Sequence, residues 1–281
     1  MTAAAARTRP APRLFAILAR DACVGIVFRR GPANQVLLIA WDTAKDVFEP
    51  GQWFKGRIYE RRCDLSPSGR KLIYFAGNQK PPYRTWTAVS TPPYLTALAL
   101  WPLGHTWGGG GSFETERRLY LHHGCQADLA DGFRLPKDIE IVAKTARSND
   151  PYARDGWSQT SLDTKRRLYY AEHTKRQTVM GDRVLELRMY EEVFFEKGSE
   201  QLREYRLTDL ARQKAESLGF LDWADWDRNG DLLFANDGKL FRAKPRATGE
   251  SAYDMARAKE LADFGGLTFR NVAAPAEAMR W

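Results

Sequence analysis

The segment CDLSPSGRKLIYFA, residues Cys63–Ala76, contains a polar turn that leads directly into an apolar run. The turn ends in Gly69, and the run Leu72–Phe75 reads Leu-Ile-Tyr-Phe. Ser, Pro and Gly are typical turn residues, and short runs of β-branched and aromatic residues are typical of strands. The segment therefore predicts a tight turn followed by a β-strand.

A similar turn and strand return three times along the 281-residue chain. The strands of these later copies begin at Leu119, Leu168 and Leu232, in successive steps of 47, 49 and 64 residues. Repeats of about 40 to 50 residues that hold several short strands are typical of β-propeller blades. The third step is wider because it contains two further strand-like runs, Arg183–Phe195 and Glu204–Leu207, which indicate an enlarged repeat.

The rest of the chain fits the same architecture. Three more strand-like runs lie near the N-terminus, at Arg13–Arg20, Cys23–Arg30 and Gln35–Trp41. Two later segments have apolar residues at helical spacing, Thr208–Leu218 and Ser251–Phe264.

We therefore predict an all-β fold, a β-propeller of four to six blades with five expected. Its sheets are expected to be antiparallel, with minor short helices near the C-terminus. Residues 1–12 are expected to form a disordered basic arm, and residues 13–281 a single propeller-like domain.

The turn and strand also resemble the repeat of TolB-like and WD-repeat-like propellers. Those blades carry a Ser-Pro-x-Gly turn followed by a strand of the type Leu-Ile-Tyr, as in Ser66–Tyr74, and Asp225–Phe234 is similar. The Trp-Asp dipeptide of the family is matched by Trp41-Asp42 but is not repeated in register. The resemblance implies a propeller fold of a kind that commonly binds partners, and it indicates no catalytic residues.

The composition indicates a folded protein with a basic surface. Hydrophobic residues make up 43% of the chain, and the formal net charge is +8 at pH 7. Such a field favours acidic partners, including nucleic acid and anionic surfaces. The three cysteines lack C-x-x-C spacing, which argues against a disulfide framework, and no apolar run is long enough to span a membrane. We expect a cytoplasmic protein without membrane insertion.

Basic pairs occupy the same place in successive repeats, at the start of the strand: Arg70-Lys71, Arg117-Arg118 and Arg166-Arg167. The same repeats also contain Arg57, Arg61, Arg62, Trp53, Trp107 and Trp157. On one rim of a propeller, such residues could contact phosphates and stack on bases. Solvated turn residues and tryptophans buried between blades are the alternative interpretation.

Asp225, Asp227, Asn229 and Asp231 are spaced like the first half of a calcium loop. The second half is missing, because Asn236 stands where the loop needs a bidentate Glu. Turn chemistry accounts for the pattern, so these residues are a weak metal candidate and no cofactor is expected.

Two further groups are expected to be structural. Gly108–Gly111 lacks the lysine of a phosphate-binding loop and predicts a flexible connection between strands. His122, His123 and Cys125 lie at a strand end, where adjacent side chains point to opposite faces and do not form one site.

Three functional hypotheses remain open. The leading one is a non-enzymatic binding scaffold that recognises a protein partner or an acidic surface through one face of the propeller. The first alternative is a hydrolase or lyase with a site in the central channel, assembled from several blades. The second alternative is a nucleic-acid-binding module that uses a basic rim. An enzyme needs convergent titratable groups in one concave site, whereas a scaffold needs an exposed apolar or charged patch.

Overall fold

A computed structural model describes residues 10–32, 34–123, 128–142, 151–163, 168–179, 181–192, 201–246 and 252–281. The described residues form five sheets that follow one another along the chain, as the prediction of a five-bladed all-β propeller requires. Every strand pair is antiparallel except β11 with β12 in the third sheet. No helix among the described residues is long and apolar enough to span a membrane.

Each sheet forms one blade. Blade 1 contains β1 (Arg13–Leu18), β2 (Val24–Arg30), β3 (Gln35–Asp42) and β4 (Val47–Lys55). Blade 2 contains β5 (Arg57–Ile58), β6 (Asp64–Leu65), β7 (Leu72–Gly77), β8 (Thr85–Ser90) and β9 (Ala99–Pro102). Blade 3 contains β10 (Gly111–Phe113), β11 (Arg118–Leu121) and β12 (Glu140–Val142).

The last two blades follow a short helix, α1 (Pro151–Arg154). Blade 4 contains β13 (Trp157–Asp163), β14 (Leu168–Gln177), β15 (Arg183–Glu192), β16 (Gln201–Asp209) and β17 (Lys214–Phe220). Blade 5 contains β18 (Trp223–Trp226), β19 (Leu232–Asn236), β20 (Lys239–Ala243) and β21 (Lys259–Asp263). Single 3-10 turns span Glu60–Arg62, Met255–Arg257 and Ala276–Met279.

The repeated turn joins the inner part of a blade to the strand that follows it. Three of the predicted strand starts fall in β7, β14 and β19, and the fourth lies one residue inside β11. A fifth copy lies in blade 1, where β2 begins at Val24, 48 residues before Leu72. The predicted enlarged repeat is blade 4, and the two further strand-like runs fall in its strands β15 and β16.

Apolar side chains fill the junctions between blades. Separate clusters pack blade 1 on blade 2, blade 2 on blade 3, blade 4 on blade 5 and blade 5 on blade 1. Trp41 and Trp101, both 1% exposed or less, belong to two of these clusters. A single sheet cannot bury both of its faces, so this packing between blades supplies most of the burial.

The first and last blades are joined by polar contacts as well. The backbone N–H of Leu14 donates to Asp222 Oδ2 at 3.2 Å. Arg29, which is buried, donates to the carbonyl oxygens of Phe264, Gly265 and Leu267. These bonds hold the C-terminal segment against blade 1.

Antiparallel strands place two kinds of connection at opposite ends of blades 1, 2, 3 and 5. We call the end with the turns from first to second strand the turn face (residues 19–23, 66–71, 114–117 and 227–231). We call the other end, where the chain passes between blades 1, 2 and 3 and enters blade 5, the connection face (56–57, 103–110 and 221–222).

The first strand of blade 4 runs in the opposite direction from the first strand of blade 5. Gln177 and Arg183, on either side of the β14–β15 hairpin, contact the hydroxyl of Tyr253, which donates to the carbonyl of Gly230 in the turn face. At the other end of the blade, Arg203 donates to the carbonyl of Asp222 at the start of blade 5. β13, the first strand of blade 4, therefore runs from the turn face toward the connection face, whereas β18, the first strand of blade 5, runs toward the turn face.

The helix predicted at residues 208–218 is wrong, and the one predicted at 251–264 is reduced to a single 3-10 turn. Residues 208–218 lie in the β16–β17 hairpin, and its turn contains Leu210, which is exposed. Residues 251–264 contain one 3-10 turn and then β21, the outer strand of blade 5. Pairing with β15 and β20 provides backbone hydrogen bonds that outweigh the weak helical pattern. The predicted arm lies outside the described residues up to position 9.

Candidate functional site

The centre of the molecule holds a buried group of charged residues around Asp64. The Asp64 carboxylate is 1% exposed and accepts a hydrogen bond from the backbone N–H of Phe113 at 2.7 Å. Arg20 and Arg154 each approach it at 3.4 Å. These three partners come from blade 3, blade 1 and the start of blade 4. Burial raises the pKa of Asp64 to about 6, although both guanidinium groups favour the ionised form.

Two more ion pairs complete this central cluster, which we define as Asp64, Arg154, Asp155, Lys175 and Asp225. Arg154 donates to both carboxylate oxygens of Asp155, at 2.8 and 2.6 Å. Lys175 Nζ lies 2.5 Å from Asp225 Oδ1. Burial raises the pKa of Asp225, and Lys175 opposes that shift. Acids from three blades therefore converge here, each with a basic partner.

A small central cavity of about 30 Å³ lies beside this cluster. Its walls include Arg61, Arg154, Asp155, Trp157, Arg203 and Asp225. A water molecule needs about 10 to 15 Å³ of such space, so the cavity has room for one or two waters. It is too small for a substrate of the size of a sugar.

A much larger space lies on the turn face, between blades 1, 2 and 3. This face groove has a volume of about 920 Å³. Blade 1 contributes Val24, Trp41, Val47 and Glu49, and blade 2 contributes Ser68, Arg70 and Lys71. Blade 3 contributes Glu116, Arg117, Asp138 and Ile139. Apolar and charged side chains thus share its walls.

The C-terminal segment forms one end of the face groove. Lys71 Nζ donates to the carbonyl oxygen of Arg280 at 3.1 Å and to Thr91 Oγ1 at 2.9 Å. The same ammonium group lies 5.8 Å from the centre of the Trp281 ring. Lys71 therefore holds a peptide carbonyl and an aromatic side chain at the same time.

The other basic residues around the groove are paired. Arg117 Nε lies 3.3 Å from Asp138, and Arg118 contacts Glu114 and Glu140 at 3.0 Å each. Arg70 is exposed and donates to the hydroxyl of Ser68 at 3.1 Å. Arg166 and Arg167 lie outside the described residues.

The remaining predicted binding residues do not lie in the face groove. Arg57, Arg62 and Trp107 lie on the connection face, whereas Arg61 and Trp157 line the central cavity. Trp53 lies on the outer strand of blade 1, where it contacts Arg29 and Phe269. The structure thus divides the described members of the predicted set among four places.

The aspartate-rich turn of blade 5 surrounds an arginine. Arg242 Nη1 contacts Asp227 and lies 3.0 Å from Asp231, and its other nitrogen lies 2.8 Å from Asp46 of blade 1. Asp225 points instead to Lys175. No cluster of His, Cys, Asp and Glu suited to a metal occurs within the described ranges.

The glycine run and the histidines have structural surroundings. A Cβ on Gly109 would lie 2.1 Å from the Phe75 ring, and one on Gly110 would lie 2.2 Å from the Arg62 carbonyl. The prediction of a flexible connection is therefore wrong for these two residues, because they pack closely on blade 2. His123 Nε2 lies 3.1 Å from Thr87 Oγ1, and Cys125 falls outside the described residues.

Comparison with known proteins yields a structural similarity. No protein-family model and no curated protein matches the chain. Among solved structures, it is similar to the GH43 BlXynB protein from Bacillus licheniformis, with 11% sequence identity and a TM-score of 0.27. The match covers 94% of this chain and 59% of that protein. At this TM-score the similarity carries no argument about function.

Sequence reasoning missed the central cluster, although one signal pointed to it. Asp64 and Asp225 stand at the same position of the repeat, five residues before Gly69 and Gly230. Both acids lie in the short strand that precedes the turn, and both are buried. A carboxylate that recurs at an inner-strand position predicts a basic partner near the centre. Arg154 does not stand at a position that recurs in the repeats, so no comparable signal pointed to it.

Proposed function

We propose that this protein is a non-enzymatic binding scaffold that takes a segment of a protein partner into the face groove. The observation that carries this proposal is the size and the mixed lining of the groove, about 920 Å³ between three consecutive blades. Recognition sites for proteins combine aromatic and apolar contacts with a polar rim. Val47, Ile139 and Trp281 provide the apolar contacts, and the paired charges of Arg117 and Asp138 provide part of the rim.

The C-terminal segment supports a peptide as the ligand. Lys71 already holds the main-chain carbonyl of Arg280 and the ring of Trp281 in this groove. A partner segment with an aromatic residue would extend the same contacts along the walls of blades 1 and 3. Free thiols at Cys23 and Cys63 agree with the cytoplasmic location that we propose for this interaction.

Site-specific photocrosslinking tests the proposal. Val47 lines the groove and is 58% exposed, so a photoreactive phenylalanine analogue placed there would contact a bound partner. Val179 is 63% exposed on the β14–β15 hairpin, outside the groove, and is the matched control. Irradiation of cells should give a discrete protein adduct from position 47 only. The adduct should disappear when Lys71→Glu is added, and equal adducts from both positions would contradict the proposal.

A hydrolase that uses the acids of the central cluster is the second candidate, and its substrate would enter only when the central cavity opens. The convergence of Asp64, Asp155 and Asp225 from three blades is the observation in its favour, because a carboxyl group whose pKa is raised by burial, as for Asp64 and Asp225, can act as a general acid. Chromogenic glycosides and esters test it with the wild type and Asp225→Asn. Turnover that is lost in the variant would favour the enzyme, and absence of turnover would favour the scaffold.

A further inference from the structure

Trp107 is the most exposed large apolar side chain among the described residues. Its side chain is 81% exposed, on the loop that connects β9 to β10 on the connection face. Tryptophan is usually well buried because its ring carries a large apolar area. An indole in this position leaves that area open to a ligand.

The loop that presents Trp107 is anchored on both sides. Arg62 donates to the carbonyl of Thr106 at 2.7 Å, and the hydroxyl of Thr85 donates to the carbonyl of His105 at 2.5 Å. After the tryptophan, the N–H of Gly110 donates to Thr87 Oγ1 at 2.9 Å. The close packing of Gly109 on Phe75 also fixes the segment that follows Trp107. The backbone on both sides of Trp107 is therefore held in place, with the indole at an exposed tip.

Two arginines lie next to this loop. The guanidinium groups of Arg57 and Arg62 lie 4.8 and 5.7 Å from the centre of the Tyr59 ring. Neither forms an ion pair with any carboxylate that the structure describes. A guanidinium group stacked on a ring keeps N–H groups available for a phosphate, and in Arg62 these are the groups other than the Nη1 that donates to Thr106.

The surrounding face is positive. Burial lowers the pKa of Arg30, and the nearby charges of Arg57, Arg13 and Arg203 lower it further. Glu60, which lies 3.8 Å from Arg30, offsets part of this charge. Asp222, with Asp237 beside it, is a further acid near Arg13 and Arg203. Like charges are costly to gather, so such a group indicates a place for an anionic ligand.

We infer that the connection face binds single-stranded nucleic acid, with Trp107 stacked on a base and Arg57 and Arg62 in contact with phosphates. A flat aromatic surface beside unpaired arginines suits a chain of alternating bases and phosphates. An acidic peptide would use the arginines but has no general need for the exposed indole. The site lies on the opposite face from the groove, so it is independent of the protein-binding function proposed above.

Fluorescence anisotropy with labelled oligonucleotides tests this site. The probes are a DNA oligothymidylate and an RNA oligouridylate of about 15 nucleotides each, which avoid base pairing and suit the site sizes of such proteins. The wild type should bind at least one of them at low salt, and the better probe identifies the preferred sugar. Trp107→Ala should raise the Kd about 10-fold, and Trp107→Phe should recover part of that loss. Arg57→Ala should reduce the slope of log Kd against log salt by about one.

The matched controls lie on the turn face. Trp281→Ala removes a partly exposed tryptophan and Arg70→Ala an exposed arginine, and both variants should bind like the wild type. Because the Trp107 side chain is largely in solvent, its variants should keep the wild-type melting temperature. Absence of wild-type binding to both probes, or equal losses in the controls, would overturn the inference.

Discussion

The carboxylate of Asp64 in blade 2 receives contacts from Phe113 of blade 3, Arg20 of blade 1 and Arg154 at the start of blade 4. A buried carboxylate is stable only when such partners replace its lost hydration. One residue therefore links four blades through charge. Its environment also makes the stability of the protein sensitive to pH.

Asp64→Asn should remove one part of that pH dependence. The pKa of Asp64 is about 6 in the folded protein against 3.8 for an unperturbed aspartate, so between these values the folded protein holds a proton that the unfolded chain has lost. The contribution of Asp64 to stability is therefore present at low pH and is lost as pH rises. From pH 4.5 to 7.5 the difference in unfolding free energy between wild type and variant should fall by about 2 kcal/mol.

Urea denaturation at several pH values measures this difference. The asparagine keeps the shape and an acceptor for the Phe113 N–H but does not titrate. A difference that grew with pH would show that the attraction of Arg20 and Arg154 exceeds the effect of burial, and it would contradict the prediction.

Among the strands and turns, the connection between β6 and β7 packs blade 2 against blade 1. Gly69 has a φ of +78°, and a Cβ at this position would lie 2.3 Å from the side chain of Val24 at the start of β2. Gly132 has a similar φ of +84°, but a Cβ at that position would have no neighbouring atom within 4 Å. Comparing the same substitution at the two glycines therefore separates the cost of backbone strain from the cost of overpacking.

Gly69→Ala should be clearly more destabilising than Gly132→Ala. The left-handed backbone alone costs alanine about 1 kcal/mol, which is the expected loss at position 132. Overpacking against Val24 adds about 1 to 3 kcal/mol at position 69. Chemical denaturation of both variants measures the two losses. Equal losses would mean that the junction between blades 1 and 2 has room for a methyl group.

Across the molecule as a whole, Arg242 joins the last blade to the first. Its guanidinium group is held by Asp227 and Asp231 of blade 5, by Asp46 of blade 1 and by the carbonyl of Thr43. The group is 8% exposed, so its removal would leave three acids close together with little solvent. The contact supports treating residues 13–281 as one domain, as we propose.

Arg242→Met should therefore destabilise the protein by about 3 to 5 kcal/mol, as expected when one member of a buried charged network is removed. Arg228→Met is the matched control, since Arg228 is exposed in the same turn, and its effect should stay within about 0.5 kcal/mol. Thermal and urea unfolding compare the two variants. A loss below about 1 kcal/mol for Arg242→Met would show that apolar packing alone holds blade 5 against blade 1.

The all-β class, the repeat and the number of blades could be predicted from the sequence. Turn chemistry and apolar runs such as Ser66–Phe75 depend on neighbours along the chain, so they are visible without a structure. The helical spacing in residues 208–218 misled the prediction because pairing with a distant strand outweighs local propensity.

The assembly of the candidate sites, in contrast, depends on the tertiary structure. The direction of blade 4, the distribution of Arg57, Lys71 and Trp107 over two faces, and the central cluster all follow from contacts between distant residues. The Lys175–Asp225 pair alone joins positions 50 residues apart. Charge pairs of this kind leave no periodic pattern in the sequence, because their geometry exists only after the blades have packed.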